Sequence, residues 1–280
     1  MSAPDILAGL SQVADRYDVL LCDVWGVIHN GRENFPDACE ALARFQRERG
    51  PVVLISNSPR PAEAVKPQLA ELGVPDSAWT SFITSGDATR ALLAERSPGP
   101  AWRIGPERDD VLYDGLGLDF GGPTDAAFIA CSGPKDDEVD TPEDYRADLA
   151  VAAGRGLTMI CANPDRVVHR GDKLIYCGGA LADLYAQLGG PVIMAGKPYP
   201  AIYDLCLAEA GTLLGREGRP LCIGDGAPTD VKGAEAAELD CLFIYGGIHG
   251  AELDGTPGGV GRLLAQHVTA AAFAMSHLSW

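Results

Sequence analysis

Four short apolar runs of this sequence each lead into polar residues that could do chemistry. A carboxylate can attack as a nucleophile or hold a metal ion, a hydroxyl can donate a hydrogen bond, and an ammonium group supplies positive charge. In open parallel sheets, ligands bind at the carboxyl ends of the strands, so residues that follow strands converge there. In chain order, the residues after the four runs are Asp23, Ser56-Asn57, Gly196-Lys197-Pro198 and Gly224-Asp225 through Asp230.

Taken singly, each of these signals has an ordinary structural explanation. Asp23 could end a strand as a turn or cap residue, and Ser56 could cap the following helix. Lys197 could be a solvated surface lysine, and Asp225 could form a tight turn with the glycine after it. Their order and their convergence at one edge of one sheet favour a reactive site.

The runs that position these residues alternate with helical patterns, which predicts parallel strands joined by crossover helices. A Rossmann-like α/β fold is therefore expected. The predicted strands are Val19 to Cys22, Val52 to Ile55, Ala126 to Cys131, Leu157 to Ala162, Val192 to Ala195, Leu221 to Ile223 and Cys241 to Tyr245.

Helical spacing marks three further elements. One helix begins at Pro36 and stops at Gly50-Pro51, and a second ends at Gly73. A closing helix is expected over Val260 to Leu278. Looser spacing, Gly-Pro clusters and an acidic stretch predict an α/β module, residues 87–189, inserted into a core built from residues 1–86 and 190–280.

Charge and cysteine usage limit the partners and the compartment. The 280 residues carry 22 Lys and Arg against 39 Asp and Glu, a formal charge of −17, which disfavours nucleic acid and anionic membranes as partners. An anionic substrate would need a local cation, and a bound divalent ion would provide it. The eight scattered cysteines, the absence of a signal-like start and the lack of a long apolar run predict a cytoplasmic protein with reduced thiols.

The ordered motifs resemble those of the haloacid-dehalogenase-like superfamily, and within it the NagD-like or nitrophenylphosphatase group, subclass IIA. Asp23, Ser56-Asn57, Gly196-Lys197-Pro198 and the loop Asp225 to Asp230 correspond to its four motifs. Ala162-Asn163-Pro164-Asp165 resembles a cap segment of that group. The resemblance covers nearly the whole chain and implies a parallel-sheet core with an inserted α/β cap.

The resemblance also implies roles for these residues in hydrolysing small phosphomonoesters. Asp23 would form an aspartyl-phosphate, with Mg²⁺ held by Asp23, the Trp25 backbone carbonyl, Asp225 and Asp230. Ser56 would donate to the phosphate and Lys197 would supply positive charge to nucleophile and phosphate. Asn57, Asn163 and Asp165 would bind the substrate, a small phosphorylated metabolite of sugar or nucleotide type.

One position departs from the family pattern. Phosphatases of this superfamily usually place a general acid and base two residues after the nucleophile, where this chain has Trp25. Indole cannot titrate, so three readings follow: a phosphatase that prefers good leaving groups or recruits another acid, a haloacid dehalogenase, or a low-turnover protein that binds phosphorylated ligands. If the strand geometry continues, Trp25 points to the same side as Asp23; simple packing is the alternative.

Smaller expectations complete the picture. His29 is expected to position its loop rather than to act as an acid, and Gly246-Gly247 is read as a turn. The resemblance implies a homodimer formed through the caps. A large cap also favours small ligands over phosphoproteins, because it covers the site and excludes water.

Overall fold

The chain is an α/β protein with two parallel sheets, in which a Rossmann-like core carries an inserted α/β cap, as expected from the sequence. A computed structural model describes residues 3–170, 173–250, 253 and 256–280. The strands are β1 (Asp5–Ile6), β2 (Val19–Asp23), β3 (Val52–Ser56), β4 (Ser81–Thr84), β5 (Ala101–Ile104), β6 (Phe120–Gly121), β7 (Phe128–Cys131), β8 (Thr158–Cys161), β9 (Val167–Arg170), β10 (Lys173–Tyr176), β11 (Val192–Met194), β12 (Pro220–Gly224), β13 (Asp240–Ile244) and β14 (Phe273–Met275). The α-helices are α1 (Pro36–Glu48), α2 (Ala62–Glu71), α3 (Ser85–Ala94), α4 (Arg146–Gly154), α5 (Gly178–Gln187), α6 (Pro200–Leu214), α7 (Lys232–Ala236) and α8 (Pro257–Gln266).

Two compact units divide the chain. Unit 1 comprises Met1–Ser56, Lys66–Ile83 and Lys197–Trp280, and unit 2 comprises Asn57–Val65 and Thr84–Gly196. Unit 2 contains the cap sheet and unit 1 contains the core sheet. Each unit therefore has its own sheet.

The core sheet of unit 1 has seven strands in the order β1-β14-β13-β12-β2-β3-β4. From β2 the chain first builds outward through β3 and β4, and it later returns to build outward on the other side through β12, β13 and β14. The strand order therefore reverses between β2 and β12. Ligand sites of open α/β sheets lie at such a switch point, outside the carboxyl ends of the strands.

Buried apolar sequence explains the central strands. All five residues of β2 are buried, as are all five of β12, and the two strands pair in parallel with Cys22 opposite Ile223. Helix α1 begins with Pro36 at its first turn, where no intrahelical N–H is needed. Its predicted apolar face is buried: Ala38, Ala41, Leu42 and Phe45.

The cap sheet of unit 2 has five strands in the order β11-β8-β7-β5-β6, all paired in parallel. Strands β9 and β10 form a separate antiparallel pair. A core cluster packs one side of this sheet around Ile129, Leu149, Met159 and Tyr185. The unit thus has the hydrophobic core of an independent α/β layer.

The predicted closing helix over Val260 to Leu278 is wrong beyond its first part. Helix α8 ends at Gln266, and Phe273–Met275 form strand β14, which pairs with β13 and β1. Residues 270–274 read Ala-Ala-Ala-Phe-Ala, a composition that favours helix locally. Pairing between two strands outweighs that weak local preference.

Two other expectations concern the whole chain. All eight cysteines are free and buried, which confirms the prediction that they are core residues. Among the residues that the structure describes, no helix combines the length and apolar character needed to cross a bilayer.

Candidate active site

A buried lysine joins two carboxylates at the switch point of the core sheet. Lys197 Nζ donates to Asp23 Oδ1 at 2.5 Å and to Asp230 Oδ1 at 2.6 Å. It also lies 3.5 Å from the Ile55 carbonyl oxygen. Lys197 is 3% exposed, so these three oxygens replace its water. Burying an ammonium group is costly unless it is paired in this way, and the contacts hold Asp23 in one orientation.

Asp225 completes the group beside the end of β12. Its Oδ2 accepts a hydrogen bond from the Ile248 backbone N–H at 2.7 Å. A Cβ atom added at Gly26 would lie 2.0 Å from Asp225 Oδ2, and one added at Gly247 would lie 2.1 Å away. Backbone from two loops therefore packs directly on this carboxylate. Gly26 also has a φ of +84°, which L side chains rarely adopt.

Asp230 is held by the loop that it ends. Residues Ala227–Val231 form a π-helical turn, a rare conformation that is frequent at functional sites. Asp230 Oδ2 accepts from the Gly226 N–H at 3.0 Å, and the other carboxylate oxygen faces Lys197. The turn thus aims Asp230 back toward the end of β2.

The electrostatics of the three acids reflect their crowding. Burial and then the neighbouring Asp230 raise the pKa of Asp23 well above its usual value, against the opposing effect of Lys197. Burial and Asp230 also raise the pKa of Asp225 to about 6, although the Ile248 N–H opposes the shift. Burial alone would lower the pKa of Lys197, but Asp23 and Asp230 raise it above its usual value. The protein alone thus disfavours a fully ionised cluster.

The donor set fits a hard divalent cation. One carboxylate oxygen from each of Asp23, Asp225 and Asp230 lies within 4.8 Å of the others. When all three acids are ionised, Lys197 balances only one of the charges. Oxygen ligands of this kind are those that Mg²⁺ and Ca²⁺ prefer.

Three of the four predicted substrate residues lie together in unit 2, and the fourth, Ser56, lies in unit 1. Ser56 ends β3 in unit 1 and is half-buried, directly after Ile55. In unit 2, the Asn57 side-chain amide donates to Asp165 Oδ1 at 3.1 Å, and Asn163 Oδ1 accepts from the Asp165 N–H at 3.0 Å. The structure therefore brings Asn57, Asn163 and Asp165 together, although Asn57 is far from the other two in sequence.

Trp25 does not continue the strand. Strand β2 ends at Asp23, and Trp25 instead forms an isolated bridge with His29. The two rings meet edge to face at 5.3 Å, and the Trp25 side chain is 55% exposed. His29 is buried, which lowers its pKa to about 4, and its Nδ1 accepts from the Gly31 N–H at 3.1 Å. A neutral His29 thus fastens the loop, consistent with the positioning role expected for it.

Sequence reasoning missed the backbone around Asp225. Gly246-Gly247 lies in a turn, as predicted, but Gly247 also packs against the Asp225 carboxylate and Ile248 donates to it. The signal available was an adjacent glycine pair directly after a predicted strand. Such a pair permits a close backbone approach as readily as a turn.

Comparisons with known proteins agree with this architecture. Residues 20–119 match the family described as haloacid dehalogenase-like hydrolase, and residues 194–271 match the HAD-hydrolase-like family. A haloacid dehalogenase-like hydrolase from Brucella suis 1330 is 42% identical, with a TM-score of 0.85, and the match covers 98% of this chain and 100% of that one.

Two curated or solved relatives carry names that state an activity. A 5'-nucleotidase of Bacillus subtilis is 26% identical over 83% of this chain and 88% of its own length. A glycerol phosphate phosphatase from Mycobacterium tuberculosis, solved in complex with magnesium, is 26% identical with a TM-score of 0.66; the match covers 84% of this chain and 70% of that one. The chain belongs to the haloacid-dehalogenase-like hydrolases, in the NagD-like and nitrophenylphosphatase-like group, type IIA.

Proposed function

We propose that this protein is a Mg²⁺-dependent phosphatase that hydrolyses small phosphomonoesters through an aspartyl-phosphate on Asp23. The observation that carries the proposal is the buried contact of Asp23 with Lys197, next to Asp225 and Asp230. The names of the relatives, a nucleotidase and a glycerol phosphate phosphatase, support sugar- or nucleotide-type metabolites as substrates. The small phosphorylated metabolite is the expected partner.

Asp23 is the proposed nucleophile. One oxygen contacts Lys197, which fixes the carboxylate and leaves the second oxygen for attack. Attack forms a bond between that oxygen and phosphorus, and the ester P–O bond breaks with its electron pair on the departing oxygen. Water then attacks the same phosphorus, releases phosphate and regenerates Asp23.

Asp23, Asp225, Asp230 and the Trp25 backbone carbonyl are the proposed Mg²⁺ ligands. When bound, Mg²⁺ would offset the negative charge of the acids and of the phosphate. Lys197 adds a fixed positive charge, since its pKa is raised by the acids that surround it. These charges favour the ionised form of Asp23, which attack on phosphorus requires.

The remaining site residues are proposed to hold the substrate. The Ser56 hydroxyl would donate to a phosphate oxygen, and Asn57 would act beside it. Asn163 and Asp165 would face the ester group, and the contact of Asp165 with Asn57 supports a shared role. Trp25 stands in place of the usual general acid, so the departing oxygen takes its proton from water or from another group.

Two other functions make different predictions. A low-turnover protein that binds phosphorylated ligands is favoured by the untitratable Trp25, whereas a haloacid dehalogenase is disfavoured by the carboxylates at 225 and 230, because dehalogenases need no metal. A panel of phosphorylated metabolites and haloacids, assayed for phosphate and halide release with and without chelator, separates the three. We expect phosphate release that the chelator abolishes. Halide release, or binding without turnover, would refute the proposal.

Further proposals concern the cellular location of the protein, its partners, its oligomeric state and its domain limits. The free buried thiols support a cytoplasmic location, because disulfides are rare in reducing compartments. The charge of −17 supports partners other than nucleic acid or membrane. We also propose a homodimer, and domain limits at residues 1–86, 87–189 and 190–280.

A further inference from the structure

Three residues with large, exposed apolar side chains are connected to the carboxylate cluster through the backbone. Among the described residues of unit 1, six such side chains are exposed. Two of them lie within two residues of groups in the cluster, and a third belongs to a residue whose backbone contacts the cluster. Trp25 follows Asp23 by two residues, and Tyr199 follows Lys197 by two. Ile248 donates its own N–H to Asp225. We call these three the rim residues. The other three exposed residues are Ile6, Leu213 and Val268.

The backbone fixes two rim residues next to one carboxylate. Gly26 follows Trp25 and Gly247 precedes Ile248, and both glycines pack so closely on Asp225 Oδ2 that neither can take a side chain. Trp25 and Ile248 are therefore anchored beside the same oxygen. Ile248 is 73% exposed and Tyr199 is 38% exposed, so neither is a core residue.

The Trp25 indole is supported before any ligand arrives. His29 meets it edge to face, and a Cβ atom added at Gly31 would lie 2.1 Å from Trp25 Cη2. His29 is in turn held by the Gly31 N–H. Part of the ring thus rests on the loop, and the rest remains open to solvent. Grouped exposed apolar residues often mark ligand sites, and a ring that is already ordered costs less entropy on binding.

We propose that the rim residues bind the ester group of the substrate and select a flat aromatic alcohol. This rests on the proposed phosphatase function and narrows its substrates from small phosphomonoesters in general to aryl esters, in place of the sugar and nucleotide esters that the relatives' names suggest. A planar group can stack on the exposed part of Trp25, with Tyr199 and Ile248 adding apolar contact. The neutral rim offers no charge to a polyol or an anionic leaving group.

The absence of a general acid two residues after Asp23 also favours aryl phosphates as substrates. The position two residues after Asp23 cannot donate a proton, so an alkoxide leaving group would depart poorly. Phenols and heteroaromatic alcohols are much stronger acids than aliphatic alcohols and leave as stable anions. A site without an acid and with an aromatic surface is therefore matched to aryl phosphates in both binding and chemistry.

The test uses three esters whose alcohols have similar acidity but different shapes: 2-naphthyl, phenyl and hexafluoroisopropyl phosphate. For the wild type we expect kcat/KM to fall in that order. Trp25→Leu, which keeps apolar bulk but loses the flat ring, should lower kcat/KM for the naphthyl ester about tenfold, mainly through KM, and bring the naphthyl-to-phenyl ratio close to one. Trp25→Phe should restore part of the ratio.

Leu213→Ala is the matched control, since Leu213 is also an exposed apolar residue of unit 1 but lies near the end of α6. The ratio of kcat/KM for the naphthyl ester to that for the phenyl ester should be the same in this variant as in the wild type. An unchanged ratio in Trp25→Leu, with phosphate still released, would overturn the rim proposal and leave the phosphatase intact. No phosphate from any ester would instead refute the phosphatase.

A binding measurement separates recognition from turnover. In the Asp23→Asn background, calorimetry with 2-naphthyl phosphate and Mg²⁺ gives a dissociation constant in the absence of nucleophilic attack. Adding Trp25→Leu should weaken this binding about tenfold, which corresponds to one aromatic contact. Equal binding with and without the indole would overturn the proposal, whatever the turnover results.

Discussion

The two sheets of this molecule end their central strands in opposite ways. In the core sheet, β2 and the loop after β12 present Asp23 and Asp225, with Lys197 beside them. In the cap sheet, the neighbouring strands β7 and β8 end in Cys131 and Cys161, which lie directly opposite each other in the ladder. The architecture is the same, but one pair of strand ends is charged and the other is neutral.

The cysteine pair Cys131 and Cys161 is expected to be unreactive. Its neighbour Cys131 and burial raise the pKa of Cys161 well above the usual value, so the nucleophilic thiolate is disfavoured. In the core sheet the same burial acts on carboxylates, but Lys197 opposes it at Asp23. The ends of the strands in a parallel sheet can therefore position reactive side chains. Whether those side chains can ionise and react depends on how their buried charge is compensated.

The largest expected effect comes from removing the charged strand end. Asp23→Asn should lower kcat for any phosphate ester that the wild type hydrolyses by about 10⁴ or more, as loss of a nucleophile does in other enzymes. The fold should persist, because the amide oxygen still accepts from Lys197. Cys131→Ala, at the corresponding position of the cap sheet, is the control and should retain turnover. Steady-state phosphate release checks both variants, and comparable losses in the two would break the comparison.

The second-largest effect is expected from removing the Lys197 ammonium group, which compensates the buried carboxylates. Lys197→Met should lower kcat by about 10²–10³, the usual cost of losing one preorganised charge or donor. It should also make the metal-free protein less stable at neutral pH, because Asp23 and Asp230 lose their shared partner. Phosphate release and urea unfolding measure the two effects. If turnover survived at the wild-type level, Lys197 would be a structural residue only.

Much of this arrangement could be predicted from sequence, for a physical reason. Buried parallel strands are continuous apolar runs. The sequence therefore predicts β2, β3 and β12 together with the polar residues that follow them. Strand β14 could not be predicted in this way, because Phe273–Met275 are held by long-range pairing rather than by local pattern. The packing of Gly26 and Gly247 on Asp225 could not be predicted from the sequence either, because it depends on how two distant loops meet.

Asp225 offers a test of how an uncompensated buried charge affects stability. Its pKa is raised to about 6, above the usual value of 3.8, so without metal the folded state binds this proton more tightly than the unfolded state does. Ionised Asp225 therefore destabilises the metal-free fold above about pH 6, and the penalty disappears as pH falls toward 4. Asp225→Asn should raise the free energy of unfolding by about 2 kcal/mol at pH 7.5 and by clearly less at pH 5.

Urea unfolding in chelator at the two pH values measures this gain. Asp204→Asn, at an exposed position of α6, should show no such change and serves as the control. Added Mg²⁺ should stabilise the wild type and leave Asp225→Asn unaffected, because ligands that bind only the folded state add stability. A gain that did not depend on pH would contradict the assigned charge effect.

The smallest expected effect concerns the hydrogen bond between Asn57 and Asp165 in the cap unit. The Asn57 side-chain amide donates a partly buried hydrogen bond to Asp165 Oδ1 at 3.1 Å. A double-mutant cycle with Asn57→Ala and Asp165→Ala should give a coupling free energy of about 0.5–1.5 kcal/mol in urea unfolding, well below the cost of breaking the buried core network. The pair Arg166 and Asp183, an exposed ion pair in the same unit, is the matched control and should couple more weakly still, because solvent screens it. A coupling at Asn57 and Asp165 that equalled the loss on Lys197→Met would mean that the cap, too, contains a strongly compensated charge, and the contrast between the two sheets would fail.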